Sequence, residues 1–244
     1  MPGGFSRGRS SVSVMEERGG LALRGGNVPV VDGRVRVAFN PNISSAWFSS
    51  VLELMNMLAM VSLLLTSAGL VREKENGTLD QLLVSPAHAV EIFLAKIIPT
   101  LVIVLGLSGL SLLLILEPAF HVPIRGSLLL FYSVAALYVF AMSSLGIAIA
   151  VVAKNLAQAM MIMMLALQPM IFLSGAWNPS EAMNPWLRKL SVISPMRFFI
   201  DFGYGVILKG NGLSIVAWDI IGIVVLGATV FSFSLLWFRR SLAR

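Results

Sequence analysis

The densest cluster of ionisable side chains lies at residues 71–86, between two long apolar segments. Arg72, Glu73, Lys74 and Glu75 carry charges of alternating sign on consecutive positions. Side chains of opposite sign suit ion pairing and the orientation of a loop, because they can partly neutralise one another at a water interface. Two membrane crossings, one on each side, would hold the cluster at such an interface.

The residues after this charged run predict a short amphipathic helix. Residues 76–77 form a turn sequence, and Thr78 with Gln81 is a capping-box pattern that would begin a helix at Leu79. The helix should end before Pro86, because the residue before a proline is disfavoured in the helical region. An apolar face beside so many charges predicts a docking contact with a partner protein. The residues on that face, at i, i+3 and i+4 spacing, are Leu79, Leu82 and Leu83.

The whole run resembles the loop R-E-K-E-x-G-T-x-x-x-L-x-x-S-P, which joins the second and third membrane helices in permease subunits of ABC-2 type exporters. The resemblance implies that this loop contacts a separate ATPase subunit and relays its closure to the membrane helices. An ordinary charged loop with a stop-transfer role is the alternative. The positions that match, in order, are Arg72, Glu73, Lys74, Glu75, Gly77, Thr78, Leu82, Ser85 and Pro86.

Catalytic chemistry within this chain is not predicted. No G-x-x-x-x-G-K-[ST] motif is present to cradle nucleotide phosphates, so ATP and Mg²⁺ are expected to be used by the partner and no cofactor by this chain. The tripeptide 201–203, Asp-Phe-Gly, lacks the other kinase motifs, and Ser174 has no histidine within any apolar segment to act as a base. The two histidines, His88 and His121, are far apart, and the absence of cysteine excludes a disulfide framework.

Composition identifies an integral membrane protein. Hydrophobic residues make up 57% of the chain and charged residues 12%, with a mean hydropathy of +0.86, whereas soluble domains have about 25% charged residues. The net charge of +6 comes from basic residues near the N-terminus and in segments beside the apolar runs. Anionic lipid headgroups at the bilayer surface are therefore the expected partner of these residues, and nucleic acid is not.

The apolar runs predict an all-α fold with five transmembrane helices, each near the ~20 residues that a bilayer requires. Basic residues after the first and fifth spans and at Lys154 place the loop 72–91 in the cytoplasm. The segments 117–126 and 177–213 would then lie outside, in a multi-pass protein of the inner cell membrane. The predicted spans are 47–71, 93–116, 127–153, 156–176 and 214–238.

The resemblance covers the transmembrane domain, residues 39–244, and leaves residues 1–38 unmatched. The resembled permeases have six crossings, with a first helix before an external domain. Residues 1–38 contain no apolar run and are expected to be a flexible remnant of that domain. The chain is therefore interpreted as truncated at its N-terminus, divergent, or started at an internal methionine.

The segment 177–213 mixes apolar and basic residues, which is typical of helices at a membrane interface. The resemblance implies that it forms short re-entrant helices that cap the external end of a transport pathway. Tyr204 stands where a basic residue is expected from the resemblance.

Polar side chains within the spans are candidates for that pathway. Glu53 and Asn56 lie near the outer end of the first span, and Gln168, before Pro169, is predicted to break the fourth. The alternative for Glu53 is that it reaches headgroup water. Methionines such as Met160 and Met164 suit a surface that accepts varied apolar cargo, or else simply face lipid.

The predicted function is that of a permease subunit that exports a hydrophobic or amphipathic compound. The expected partners are an ABC ATPase subunit, a second permease copy or paralogue that completes a dimer, the lipid bilayer and, as a further candidate, a periplasmic adaptor. The alternative is a non-transporting or degenerate membrane scaffold. A neighbouring gene for an ABC ATPase would favour export.

Overall fold

The computed structural model describes residues 45–78, 88–175 and 184–242. All regular structure in these ranges is helical, because a backbone in lipid must satisfy its hydrogen bonds within each segment. The helices are α1 (Ser45–Glu75), α2 (Ala89–Ser111, continued by a π-helical turn, Leu112–Leu116, and a last turn, Glu117–Phe120), α3 (Leu128–Val152), α4 (Leu156–Leu173), α5 (Pro185–Ser191), α6 (Pro195–Gly203, continued by a π-helical turn, Tyr204–Leu208) and α7 (Leu213–Leu242).

The predicted all-α membrane fold is confirmed. Among the described residues, five helices are long and apolar enough to cross a membrane, namely α1, α2, α3, α4 and α7. α3 is the central one, because it contacts α1, α2, α4, α6 and α7 and has the largest buried share. α4 and α7 lie at the periphery, where most of their surface is open to lipid or to another chain.

The loop predicted at 72–91 is wrong at both ends. α1 extends through the charged residues to Glu75, so Arg72 and the three residues after it are helical. α2 already begins at Ala89, where the Glu91 carboxylate accepts a hydrogen bond from the His88 N–H at 3.0 Å. Helical structure also continues through residues 117–120 of the predicted external loop. Hydropathy marks where a helix can lie in lipid, whereas these ends are set by polar contacts.

Pro169 does not break α4, which runs through it to Leu173. The proline lies in the last turns of the helix, where the loss of one backbone hydrogen bond can be accommodated.

The short helices after α4 differ from each other in their surroundings. α5 is exposed, with Trp186 81% accessible, as expected for a helix at an interface. α6 instead enters the bundle, where the Phe199 ring stacks on Tyr138 of α3 with 4.1 Å between ring centroids. The apolar face of α6 is buried among the spans, with α7 its most extensive neighbour, so its residues help to form the core.

Tyr204, in the π-helical turn that continues α6, connects this element to the start of α1. Its hydroxyl donates a hydrogen bond to the Phe48 carbonyl at 3.2 Å, and the two rings meet edge to face. Burial, with a smaller contribution from Asp201, raises the pKa of Tyr204 to about 12. The hydroxyl therefore remains a hydrogen-bond donor at neutral pH.

Close packing of α1 on α3 depends on Gly146. A Cβ atom at this position would overlap the Thr66 hydroxyl oxygen and lie 3.0 Å from the Leu63 carbonyl oxygen. Both atoms belong to α1, which is the most extensive neighbour of α3. A residue without a side chain therefore sets the distance between the two helices.

Replacement of Gly146 by alanine is expected to destabilise the protein by about 1–3 kcal/mol, the usual cost of overpacking a tight contact. The measurement is thermal unfolding of the purified protein in detergent. Gly106→Ala is the matched control, because nothing lies within 4 Å of a Cβ atom at Gly106 and the substitution also favours the helix. Equal midpoints for the two variants would contradict a tight contact at Gly146.

Candidate functional site

The charged residues of the sequence motif lie at one end of the bundle, where α1, α3 and α7 finish and α2 and α4 begin. We call this the loop end. The Phe93 ring of α2 contacts the Phe238 ring of α7, with 5.2 Å between their centroids. This contact places the C-terminal part of α7 at the loop end. At the opposite end, the Trp47 indole N–H donates to the Phe120 carbonyl at 3.1 Å.

Lys74 caps the end of α3. Its Nζ donates hydrogen bonds to three backbone carbonyls, those of Ala150 at 2.9 Å, Val151 at 3.1 Å and Ala153 at 2.8 Å. Carbonyls in the last turn of a helix have no partner within the helix, and the helix dipole favours a positive charge there. An ammonium has three N–H donors, and all of them are used in this contact.

Glu75 binds the start of α4. One carboxylate oxygen accepts the backbone N–H of Leu156, the first residue of that helix, at 3.0 Å. The Asn155 side chain accepts from the Gln158 N–H at 2.8 Å and supplies the ordinary N-cap. A negative charge at this position is favoured by the helix dipole. Consecutive residues of α1 thus hold both sides of the corner between α3 and α4, and we call this pair of contacts the Lys74–Glu75 clamp.

Glu73 connects α1 to α2 through an ion pair with Lys96. Its second carboxylate oxygen is buried and has no hydrogen-bond partner among the described residues. The two side chains are each about a quarter exposed, so the pair is neither fully buried nor freely solvated. The three consecutive residues 73–75 therefore contact three different helices.

Gly77 sets the direction in which the chain leaves α1. Its φ of +70° is left-handed, and its N–H donates to the Lys74 carbonyl at 3.2 Å, as in a glycine-terminated helix. The Thr78 hydroxyl donates to the Glu73 carbonyl at 3.1 Å, which ties the next residue back onto α1. Arg72, the remaining member of the charged run, is exposed.

The predicted docking face lies outside the described residues, together with Pro86. The structure therefore describes the motif only as far as Thr78, and the docking role of Leu79, Leu82 and Leu83 stays a prediction.

The predicted pathway residues fall into two adjoining hollows on α4. Glu53 and Asn56 of α1 face Gln168 across a cavity of about 420 Å³. Met160 and Met164 line a wider apolar groove of about 990 Å³ between α4 and α5. Gln168 and Phe172 line both hollows, so the residues proposed from sequence lie on one continuous surface. No group of three His, Cys, Asp or Glu residues that could hold a metal ion comes together within the described ranges.

Sequence reasoning missed the contacts of the charged run. Lys96 and the backbone groups at the α3 to α4 corner are 23 to 81 residues away from their partners in the motif. Ion pairs within the run were expected to orient the loop, whereas the described contacts are one ion pair to α2 and two helix caps. The signal available in the sequence was the segment 154–158, which follows an apolar run and carries one basic and two polar side chains, Lys154, Asn155 and Gln158.

Comparison with known proteins identifies the family. The family model for the ABC-2 type transporter matches residues 33–208. The chain is 35% identical over 219 residues to the inner membrane transport permease YhhJ of Escherichia coli (strain K12). This alignment covers 90% of this chain and 59% of the relative. It is 36% identical over 207 residues to the probable multidrug ABC transporter permease YbhR of the same organism, covering 84% and 56%.

A third relative is the probable multidrug ABC transporter permease YbhS, 29% identical over 185 residues, with 75% of this chain and 48% of the relative covered. The chain thus spans between about half and three fifths of the lengths of these relatives. The family match agrees with the five apolar helices found among the described residues and with the charged run 72–75. This chain belongs to the ABC-2 type transporter family and is a multi-pass membrane protein.

Proposed function

We propose that this chain is the membrane-spanning subunit of an ATP-binding cassette exporter in the inner membrane. In this proposal the loop end faces the cytoplasm, and a separate ATPase subunit docks on residues 78–84. The relatives named as transport permeases support a transport role, and the lack of a nucleotide-binding motif supports a partner that hydrolyses ATP.

The Lys74–Glu75 clamp is the observation that carries this proposal. Hydrolysis of Mg-ATP by the partner supplies the free energy, and residues of this chain carry the resulting movement into the membrane. A displacement of the segment after Gly77 would act first on the last turn of α1. The clamp would move the ends of α3 and α4 with it, since three hydrogen bonds and a helix cap join them to α1.

The ion pair of Glu73 with Lys96 would include α2 in the same movement. Four of the five described spans are therefore joined at the loop end by three consecutive residues, Glu73, Lys74 and Glu75. Because packed helices move as units rather than bending continuously, such a joint suits alternating access by helix rocking.

The proposed cargo is a hydrophobic or amphipathic compound that moves along the exposed face of α4. The groove there is lined by methionines and other apolar side chains, which adapt to varied shapes. A second permease copy or paralogue would complete the transporter. It could pack against α4 or α7, whose surfaces are mostly exposed. A periplasmic adaptor is a further candidate partner.

Reconstitution tests the proposal. Proteoliposomes that contain the full-length permease together with its ATPase partner are expected to move a fluorescent amphiphile when Mg-ATP is added. Either subunit alone should move none, and the purified permease should hydrolyse no ATP. ATP turnover by the isolated permease, or equal transport without the ATPase, would contradict the assignment. A complex that hydrolyses ATP but moves nothing would instead support the scaffold alternative.

A further inference from the structure

The cavity between α1 and α4 has an unusual lining for a space among membrane helices. Its walls are mostly apolar, formed by methionine, leucine, isoleucine and phenylalanine side chains. Among the described residues that line it, Glu53 alone is ionisable, and no lysine or arginine faces it. Glu53 lies about 12 Å along the helix from the start of α1 at Ser45, within the apolar span.

Two amide side chains stand beside this carboxylate. Asn56 follows Glu53 by one helical turn, and its Oδ1 is buried with no hydrogen-bond partner among the described residues. Gln168 approaches from α4. A buried carbonyl oxygen without a donor costs free energy, which a ligand with positive charge or with N–H groups would recover.

We propose that this cavity binds lipophilic cations, with the positive charge at Glu53 and the apolar body against Met57, Met60 and Leu167. The volume of about 420 Å³ is within the range of small-molecule sites. Charge complementarity selects a cation over a neutral lipid tail or an anion, because the only ionisable side chain of the described lining is an acid, and its exposed carboxyl group is open to a ligand. The Phe172 ring adds a face on which a cation is favoured.

The position of the cavity suits entry and exit of such a ligand. It shares Glu53 and Met57 with a second hollow of about 320 Å³ between α1 and α2. It shares Gln168 and Phe172 with the long groove on α4. Glu53 is therefore reached from two sides, and a cation bound there would lie beside the proposed cargo route. The inference rests on the proposed function only for the fate of the bound cation, since binding itself needs no partner.

The test compares two ions of the same shape and opposite charge, tetraphenylphosphonium and tetraphenylborate. Equilibrium dialysis with the purified full-length chain in a neutral detergent should show tighter binding of the cation. Glu53→Gln is expected to weaken tetraphenylphosphonium binding by about tenfold and to change tetraphenylborate binding by less than about twofold. Glu53→Asp should retain part of the preference. Glu117→Gln, an exposed acid at the end of α2 outside the cavity, is the matched control and should behave as wild type.

Equal binding of the two ions, or no effect of Glu53→Gln on the cation, would overturn the inference and indicate partition into the micelle. Size-exclusion elution at the wild-type volume verifies that each variant is folded. The assay uses neither ATP nor the ATPase, so it separates the two proposals. A chain that prefers the cation but supports no ATP-driven transport would leave this inference standing and contradict the proposed function. ATP-driven transport by a protein that binds the two ions equally would overturn this inference and support the proposed function.

Discussion

Replacement of Lys74 by methionine is expected to abolish ATP-driven transport while the ATPase subunit still co-purifies with the permease. The methionine keeps most of the length and apolar volume of the side chain but leaves the carbonyls of Ala150, Val151 and Ala153 without their shared donor. Hydrogen bonds to charged groups contribute about 1.5–3 kcal/mol each where solvent is excluded. Because Lys74 is half-buried and water can replace part of the loss, we expect a destabilisation of about 2 kcal/mol at this joint.

The larger effect of this substitution should be on coupling rather than on folding. Without Lys74, a movement at the end of α1 no longer draws α3 with it, so ATP hydrolysis continues while transport fails. The measurement is the ratio of transported substrate to ATP hydrolysed in proteoliposomes. Lys154→Met is the control, because Lys154 is exposed at the same corner and only its backbone N–H makes a hydrogen bond among those described.

Variants of the neighbouring residue examine the other half of the clamp. Glu75→Gln keeps an oxygen that can accept the Leu156 N–H and should retain most coupling. Glu75→Ala removes that acceptor and should lower the coupling ratio without releasing the ATPase. A Lys74→Met variant with the wild-type ratio would show that the clamp is structural only and that movement reaches α3 by another contact.

The fold was largely predictable because the physics of the bilayer acts on each span separately. A run of about 20 apolar residues must be helical in lipid whatever surrounds it, so the five crossings follow from hydropathy alone. Their ends do not, because α1 extends to Glu75 and α2 begins at Ala89 through polar contacts. A break in α4 at Gln168 and Pro169 was predicted from the sequence, but the helix continues to Leu173. Neighbouring helices, which a local pattern does not describe, decide whether a proline interrupts a span.

The candidate site was predictable in its residues but not in its contacts. Residues 72–75 stood out by charge, and Gly77 by its place in a turn sequence. That Lys74 would cap α3 depends on the packing of helices some 76 residues apart, which no local pattern contains. Glu53 was likewise identifiable as a polar group within a span, whereas the cavity around it is formed jointly by α1 and α4.

A second large effect is expected at the docking face, where Leu82→Asp should release the ATPase subunit. If Leu79, Leu82 and Leu83 insert into a groove on the partner, the substitution places a charge in a desolvated contact. We expect a cost of about 3 kcal/mol, which corresponds to roughly a hundredfold loss of affinity. The membrane helices should be unaffected, because Leu82 lies outside every span.

The measurement is the yield of ATPase that co-purifies with the tagged permease, together with ATP-driven transport. Asn76→Asp is the matched control, because it adds the same charge at an exposed position of the same loop without altering the apolar face. Loss of the ATPase with Leu82→Asp but not with Asn76→Asp would identify the apolar face as the contact, since both variants change the loop charge equally. Wild-type yield and transport with Leu82→Asp would show that this segment rests on the membrane surface. The clamp at Lys74 and Glu75 would then have to receive its movement from the exposed residues of α1 itself, of which Arg72 is the nearest.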